Sequence, residues 1–233
     1  MPRVKKPRGF VSTALTDLHK NFDSDIAQFL AIHQQIGGTG PGRRSGVEGI
    51  NRAAILTLCA YWEAYCEDCL RIALLTFTQA LSPDYLPSAT KKLIIASLKS
   101  DKDELALWRL CGDGWRVQLA ATANEIRTNE NFLNTPRHTV LDERYERYIG
   151  LKLSSHWAWK GMTSRQAVSK LERFIKLRGS IAHRGVGASP VRLSDVLNYT
   201  NFIKRLAEAT DVAVREVSLP VYNQGRPAEE QAR

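Results

Sequence analysis

Arg178-Gly179-Ser180-Ile181-Ala182-His183 is the stretch on which the reading of this chain turns. It closes a helical segment that starts near Thr163 and runs through Leu171-Glu172-Arg173-Phe174-Ile175-Lys176-Leu177. On a wheel of about 100° per residue, Leu171, Phe174, Ile175, Ile181 and Ala182 fall around the direction of Arg178. The guanidinium therefore emerges from the apolar stripe. A charge there is costly unless it is paired or lines a polar cleft. Five residues on stands His183, a side chain that can take and give a proton near neutral pH. Arg184-Gly185-Val186-Gly187 then ends the helix, as glycines past a C-terminus do.

The same helix is legible at its start. Thr163 is a predicted N-cap, and Gln166 three residues later completes a capping box. Arg165, Lys170, Arg173 and Lys176 give the helix a basic outer side. The whole chain shares that sign: 233 residues carry a formal net charge of +9, with a sequence pI near 9.5. Such a balance favours a polyanionic partner, nucleic acid most simply, or else only aids solubility. Apolar residues make up 43% of the chain, enough for a sizeable core. No apolar run is long enough to span a bilayer, so no membrane partner is expected. Met-Pro-Arg-Val-Lys-Lys-Pro-Arg at the start has no apolar stretch behind it and does not read as a signal peptide, so a cytoplasmic location is expected.

Periodicity predicts a first helix over 11–36, with Leu15, Leu18, Phe22, Ile26, Phe29, Leu30 and Ile36 at helical steps. His19 and His33 on it read as surface or capping residues. Gly37 to Gly46 reads as a linker, with no Gly-Lys-Ser/Thr ending that would make it a phosphate loop. About 47–80 is the longest and most apolar helix, hence central. Glu63 stands out inside it, since a buried carboxylate needs a partner or a proton. Glu63 is expected to approach Arg178 and hold its guanidinium; pairing with Arg52, Arg71 or another base at the core edge, or partial exposure, is the other reading. Cys59, Cys66, Cys69 and Cys111 read as reduced thiols in the core. Cys66 and Cys69 lie inside a helical pattern without the turn geometry of a zinc site, so no metal is expected.

A turn at 82–88 leads to short helices over 88–98, 102–111 and 115–126, with Trp108 and Trp115 as packing residues. Residues 124–137 read as a long polar surface loop. A short helix covers 140–149. His156-Trp157-Ala158-Trp159-Lys160 mixes aromatic and charged residues, either to stack bases or to edge the core. Ser194-Asp195 starts a last helix to about Glu216, and Pro220 is expected to end the ordered chain. Strand signals are nearly absent and no repeat is visible. The expected fold is all-α: one antiparallel helical bundle with short inserted helices.

With its helix, its apolar flank and its closing glycines, the pair Arg178 and His183 resembles the R-x4-H signature of the HEPN superfamily. Tyr61-Trp62-Glu63 resembles the corresponding helix of the RiboL-PSP group within it. The resemblance implies a basic N-terminal tail over 1–10, a HEPN-like helical domain over 11–218 and a flexible tail over 219–233. It implies a metal-independent endoribonuclease without cofactor, acting as a homodimer, as toxin or antiviral effectors of this kind do, with an inhibitory protein or antitoxin as partner. Gly179 departs from the polar residue common after the arginine in active members. That favours the other reading, a silent module that binds RNA, nucleotide or protein.

The residues themselves suit phosphodiester chemistry. Neutral His183 can take the proton of a ribose 2′-hydroxyl as it attacks phosphorus. Arg178 can lie against the non-bridging oxygens that gather charge. Glu63 and Ser180 are the expected supporting residues, and Arg173, Lys176 and Arg184 the expected RNA contacts. In an unbroken helix Arg178 and His183 stand about 140° apart. They can meet only if the helix ends near Gly179, through arginine's reach, or across a dimer.

Overall fold

A computed structural model describes residues 12–38, 46–99, 103, 105–129, 132–184 and 190–224. Among them lie seven α-helices: α1 (Thr13–Gly37), α2 (Glu48–Phe77), α3 (Ser88–Lys99), α4 (Gly114–Thr128), α5 (His138–Ile149), α6 (Ser164–Arg184) and α7 (Leu193–Asn223). Short 3-10 turns stand at Pro83–Tyr85, Ala106–Leu110 and Leu153–His156. The expected all-α class holds, with one isolated bridge between Trp159 and Met162 as the only extended pairing among the described residues.

The bundle is built around α2. Ile55, Leu58, Trp62, Cys66, Leu70, Leu74 and Phe77 are buried on it, and α1, α4, α5, α6 and α7 all pack against it. Four of these neighbours are tied to α2 by a side-chain hydrogen bond. Tyr65 Oη donates to the Ala207 carbonyl of α7 at 2.8 Å, and Tyr145 Oη of α5 donates to the Cys66 carbonyl at 2.7 Å. Tyr61 of α2 donates to Asp25 of α1 at 2.7 Å. Arg116 of α4 donates to the Thr78 and Ala80 carbonyls, satisfying the C-terminal end of α2.

The helix α6 begins on the expected capping box: Gln166 N–H donates to Thr163 Oγ1, and Thr163 N–H to Gln166 Oε1. Asn51, buried in the first turns of α2, donates to the Val191 carbonyl at 2.9 Å just before α7. Trp157, fully buried, donates from Nε1 to Thr210 Oγ1 at 2.9 Å and packs edge-on against Trp62. So of the aromatic run at 156–160, Trp157 is core and Trp159 is half-buried against Phe202.

Five expectations need correction. His33 is buried, because it follows Ile26 by seven residues on the inward face of α1, and His19 is half-buried. Cys111 is exposed, unlike Cys59, Cys66 and Cys69. Trp108 is 72% exposed, because the 3-10 turn at Ala106–Leu110 points Ala106 inward and lifts Trp108 out. The stretch 124–137 is no surface loop: α4 continues through Thr128, and Phe132, Leu133 and Pro136 are buried, with Pro136 O accepting from Trp62 Nε1. The helix α7 passes through Pro220 to Asn223. Proline removes one helical bond there, but its partner carbonyl belongs to exposed Glu216, and buried Ser218 and Val221 keep the last turn docked. The segments 1–11, 39–45, 185–189 and 225–233, with the N-terminal tail, most of the expected linker, the glycines expected to close α6 and the last part of the C-terminal tail, lie outside the described residues.

Trp157→Ala is expected to cost about 3–5 kcal/mol, by leaving a cavity beside Trp62 and Thr210 without its donor. Urea unfolding of the two proteins measures it; a loss below about 1 kcal/mol would show that the site collapses without consequence.

Candidate functional site

Cys59, Glu63 and Glu67 recur at four-residue steps and share one face of α2. Against this face comes Arg178 from α6, half-buried. The Cys59 thiol is within hydrogen-bonding reach of the guanidinium. Burial pushes that thiol up to about 11, although Arg178 pulls it down. It is a neutral packing partner, not a nucleophile. Glu63 also feels Arg178: burial raises its carboxyl above the ordinary range, and the guanidinium opposes the rise. Glu63 and Arg178 are thus neighbours, but the expected hold of Glu63 on the guanidinium is not made. Among the described residues no ion pair within 4.0 Å joins the two, so Glu63 balances the charge without clamping it.

Glu67 is the residue that sequence reasoning missed, although its place four residues after Glu63 in an apolar helix was a usable signal. Burial pushes its carboxyl up to about 7, with the charges of Glu63 and Asp68 adding to the rise. The Leu133 backbone N–H beside it opposes the shift.

The helix does not end near Gly179; it runs unbroken to Arg184. The first of the three expected ways for Arg178 and His183 to meet is thus removed. Arg178 turns inward to α2 and His183 is exposed. Within one chain they diverge by about 140°. Between them on the wheel sits Gly179, where an added Cβ would meet nothing within 4 Å. The glycine leaves an open notch between guanidinium and imidazole. Ser180 is half-buried and lies about 160° from Arg178, on the His183 side, so it does not support the arginine. Arg173 and Lys176 are exposed on the outer face, and the side chain of Arg184 lies outside the described residues.

Charge on α6 is one-sided. Arg165, Lys170, Arg173, Lys176 and Arg178 appear in no ion pair among the described residues. Elsewhere Arg52, Arg71, Arg109, Arg116, Arg205 and Arg215 each have a carboxylate. The acid of α6, Glu172, is taken by His138 of α5, with Nδ1 and Oε1 2.8 Å apart. Nothing in the sequence pointed to that pair, whose members are 34 residues apart. Next to it a cavity of about 540 Å³ lies between α5, the 153–156 turn and the start of α6. Its walls carry both signs of charge, and Asp142 there already accepts from the Ser154 N–H and hydroxyl. About 20 Å of helix separates Arg165 at its edge from Arg178.

A family model described as RiboL-PSP-HEPN matches residues 20–216, which include α2, α6 and both signature residues. The chain belongs to the RiboL-PSP-HEPN family. No curated protein and no solved structure matches it. HEPN membership gives a nuclease-like or RNA-related function; members are often ribonucleases, and some are inactive. No helix of this HEPN chain among the described residues is long and apolar enough to cross a membrane. Among them no cluster of three His, Cys, Asp or Glu could hold a metal ion.

Glu67 gives the site a pH signature. Its folded-state pKa, about 7, lies above the ordinary 4.5, so the neutral form is favoured by folding. The stability it contributes is full below about pH 4.5 and is lost as pH rises through about 7. Glu67→Gln, which keeps an oxygen beside the Leu133 N–H, is expected to add on the order of 1 kcal/mol at pH 8, allowing for solvent screening, and nothing at pH 4. Urea midpoints at the two pH values test this; an equal gain at both would remove the ionisation from the account.

Proposed function

We propose that this HEPN protein is an endoribonuclease that cleaves RNA at a composite site built by two copies of the chain. The observation that carries the reading is the run of uncompensated cations on α6 leading to His183, with Arg178 and an open notch at Gly179 beside it. A scissile phosphate in the notch would meet a guanidinium on one wall and an imidazole on the other. Arg178 is prepared for this, because Glu63 steadies its charge without occupying its donors.

The reaction balances with these groups alone. Neutral His183 accepts the proton of the ribose 2′-hydroxyl while that oxygen bonds to the adjacent phosphorus. The bond from phosphorus to the 5′ oxygen breaks, and the 5′ oxygen takes its proton from His183 of the second copy, present as imidazolium. The products are a 2′,3′-cyclic phosphate and a 5′-hydroxyl. Arg178 stabilises the non-bridging oxygens as charge gathers there. A two-fold axis beside α6 supplies the second imidazole, because a single chain carries one and turns its arginine elsewhere. DNA lacks the attacking hydroxyl and is spared. A toxin or defence effector restrained by an inhibitory protein is the cellular role that fits such an activity.

The decisive experiment is incubation of the purified protein with labelled RNA in EDTA. Cleavage to cyclic-phosphate ends is expected, falling at least 100-fold in both Arg178→Ala and His183→Ala. Intact folding is checked by circular dichroism, since unburying a charge at 178 alters the core. Mixed dimers offer a further check: when unaltered chains are mixed with His183→Ala chains, activity is expected to fall as the square of the unaltered fraction, because each site needs an imidazole from both copies. RNA binding with no cleavage by the unaltered protein would instead favour a silent binding module.

Gly179→Leu separates structure from chemistry. Leucine is a better helix former than glycine by about 0.7–1 kcal/mol, and its Cβ enters open space, so the melting temperature should rise. The filled notch should nevertheless lower cleavage at least tenfold. Unchanged cleavage in this variant would place the scissile phosphate elsewhere.

A further inference from the structure

The helix α7 packs mainly on α2 and meets α6 through long side chains. Two rungs cross that seam. Lys170 Nζ lies 4.9 Å from the centre of the Phe202 ring, and Phe202 in turn tilts against Trp159. Three residues further along α6, and three back along α7, Arg173 faces Tyr199. Tyr199 is half-buried on Phe174 with ring centres 4.9 Å apart. Burial raises the Tyr199 hydroxyl above its usual range, and the Arg173 charge opposes it. Burial and the neighbouring Arg173 both lower the Lys170 ammonium.

Two like charges three residues apart on a helix repel. A purely structural seam would be expected to carry a carboxylate between them. Among the described residues neither makes an ion pair. The nearby acid, Asp195, accepts from the Arg192 N–H in the cap of α7. The cations also lie on a path. Lys170, Arg173 and Lys176 succeed one another at three-residue steps, each about 60° further round α6, and His183, seven residues after Lys176 and within about 20° of its direction, stands about 15 Å beyond Arg173.

We propose that Lys170 and Arg173 hold a phosphodiester of single-stranded RNA whose base lies against Tyr199, a subsite a few nucleotides from the cleaved bond. This rests on the ribonuclease reading of α6 and names where its substrate is gripped. The seam takes a single strand, because the aromatic partner recognises an unstacked base by its face, which a duplex hides. Charge holds the strand at Lys170 and Arg173, and stacking sets its register at Tyr199.

The test uses the full chain carrying His183→Ala, which leaves bound RNA intact, and a fluorescein-labelled mixed-sequence RNA dodecamer in EDTA. Anisotropy titrations at several salt concentrations give affinity and salt slope. Lys170→Gln with Arg173→Gln should weaken binding about tenfold at low salt and flatten the slope by roughly one to two. Tyr199→Leu should weaken binding by roughly five- to tenfold at every salt concentration without altering the slope. Tyr199→Phe, which keeps the ring and its packing on Phe174, should bind like the parent and controls for folding. Equal affinity for the Leu and Phe variants, or an unchanged slope in the double variant, overturns the proposal. Inorganic phosphate distinguishes a free-anion site: displacement of bound RNA by millimolar phosphate that depends on Lys170 and Arg173 but not on Tyr199 also overturns it. Cleavage by the unaltered protein is scored separately. RNA binding with these signatures and no cleavage would sink the ribonuclease reading while leaving the subsite in place.

Discussion

The central position of α2, packed by five other helices, is the constraint from which the site follows. A helix surrounded by α1, α4, α5, α6 and α7 has little solvent face on which to place polar groups. Its carboxylates at Glu63 and Glu67 sit half-buried in the window where α6 arrives, and burial raises both. An arginine entering the same window is then tolerable, because the negative charge it needs is close by. The reverse also holds: without Arg178 the Glu63 carboxylate would face a lower dielectric with less compensation. What reads as an anomaly on each helix separately is one electrostatic arrangement across their interface. It remains open on the α6 side, since no ion pair closes it among the described residues.

A second constraint is the helical repeat itself. Continuing α6 past Gly179 keeps Arg178 pointing in and sends His183 out. Had the helix broken at the glycine, one chain could have brought the two together. Unbroken, it divides the work: an inward cation that is held in place, and an outward titratable group on a basic face. Gly179 leaves open space on the helix surface between their directions. The same glycine that weakens the resemblance to active members thus has a physical use on this helix. Its conformation does not require glycine, because no positive φ is involved; the open space is the feature to explain.

How much of this could be read from residues alone varies with the range of the interaction. Local signals carried far: Thr163 with Gln166 marked the start of α6, the apolar run of α2 marked the centre, and the arginine on an apolar face marked the site. Glu63 and Arg178, more than a hundred residues apart, were matched because each was a charge in the wrong place on its own helix. Interactions without such a local mark stayed hidden. His138 and Glu172 are ordinary residues on ordinary faces until α5 and α6 are docked. Lys170 and Tyr199 likewise gain meaning only when α7 is laid beside α6. The polar stretch at 124–137 misled because composition was averaged over residues that the fold treats differently. Phe132, Leu133 and Pro136 are three inward anchors in a run of asparagines, and they decided its place. Pro220 misled for the opposite reason: a strong local breaker was overridden by the burial of Val221 one residue later.

The distribution of paired and unpaired cations bears most directly on function. A net charge of +9 spread evenly would say little beyond solubility. Here the arginines of α2 and α7 are matched by acids, whereas those of α6, like Arg127 of α4 and Arg144 and Arg147 of α5, make no ion pair among the described residues. Surface ion pairs contribute little stability each, so their absence from α6 costs the fold almost nothing. It does leave a concentrated positive potential along one edge, where a polyanion gains by releasing its counterions. A neutral stripe would have served α6 as a structural element equally well. Folding therefore does not explain the unmatched charge. The proposed recognition of a phosphate chain would account for it.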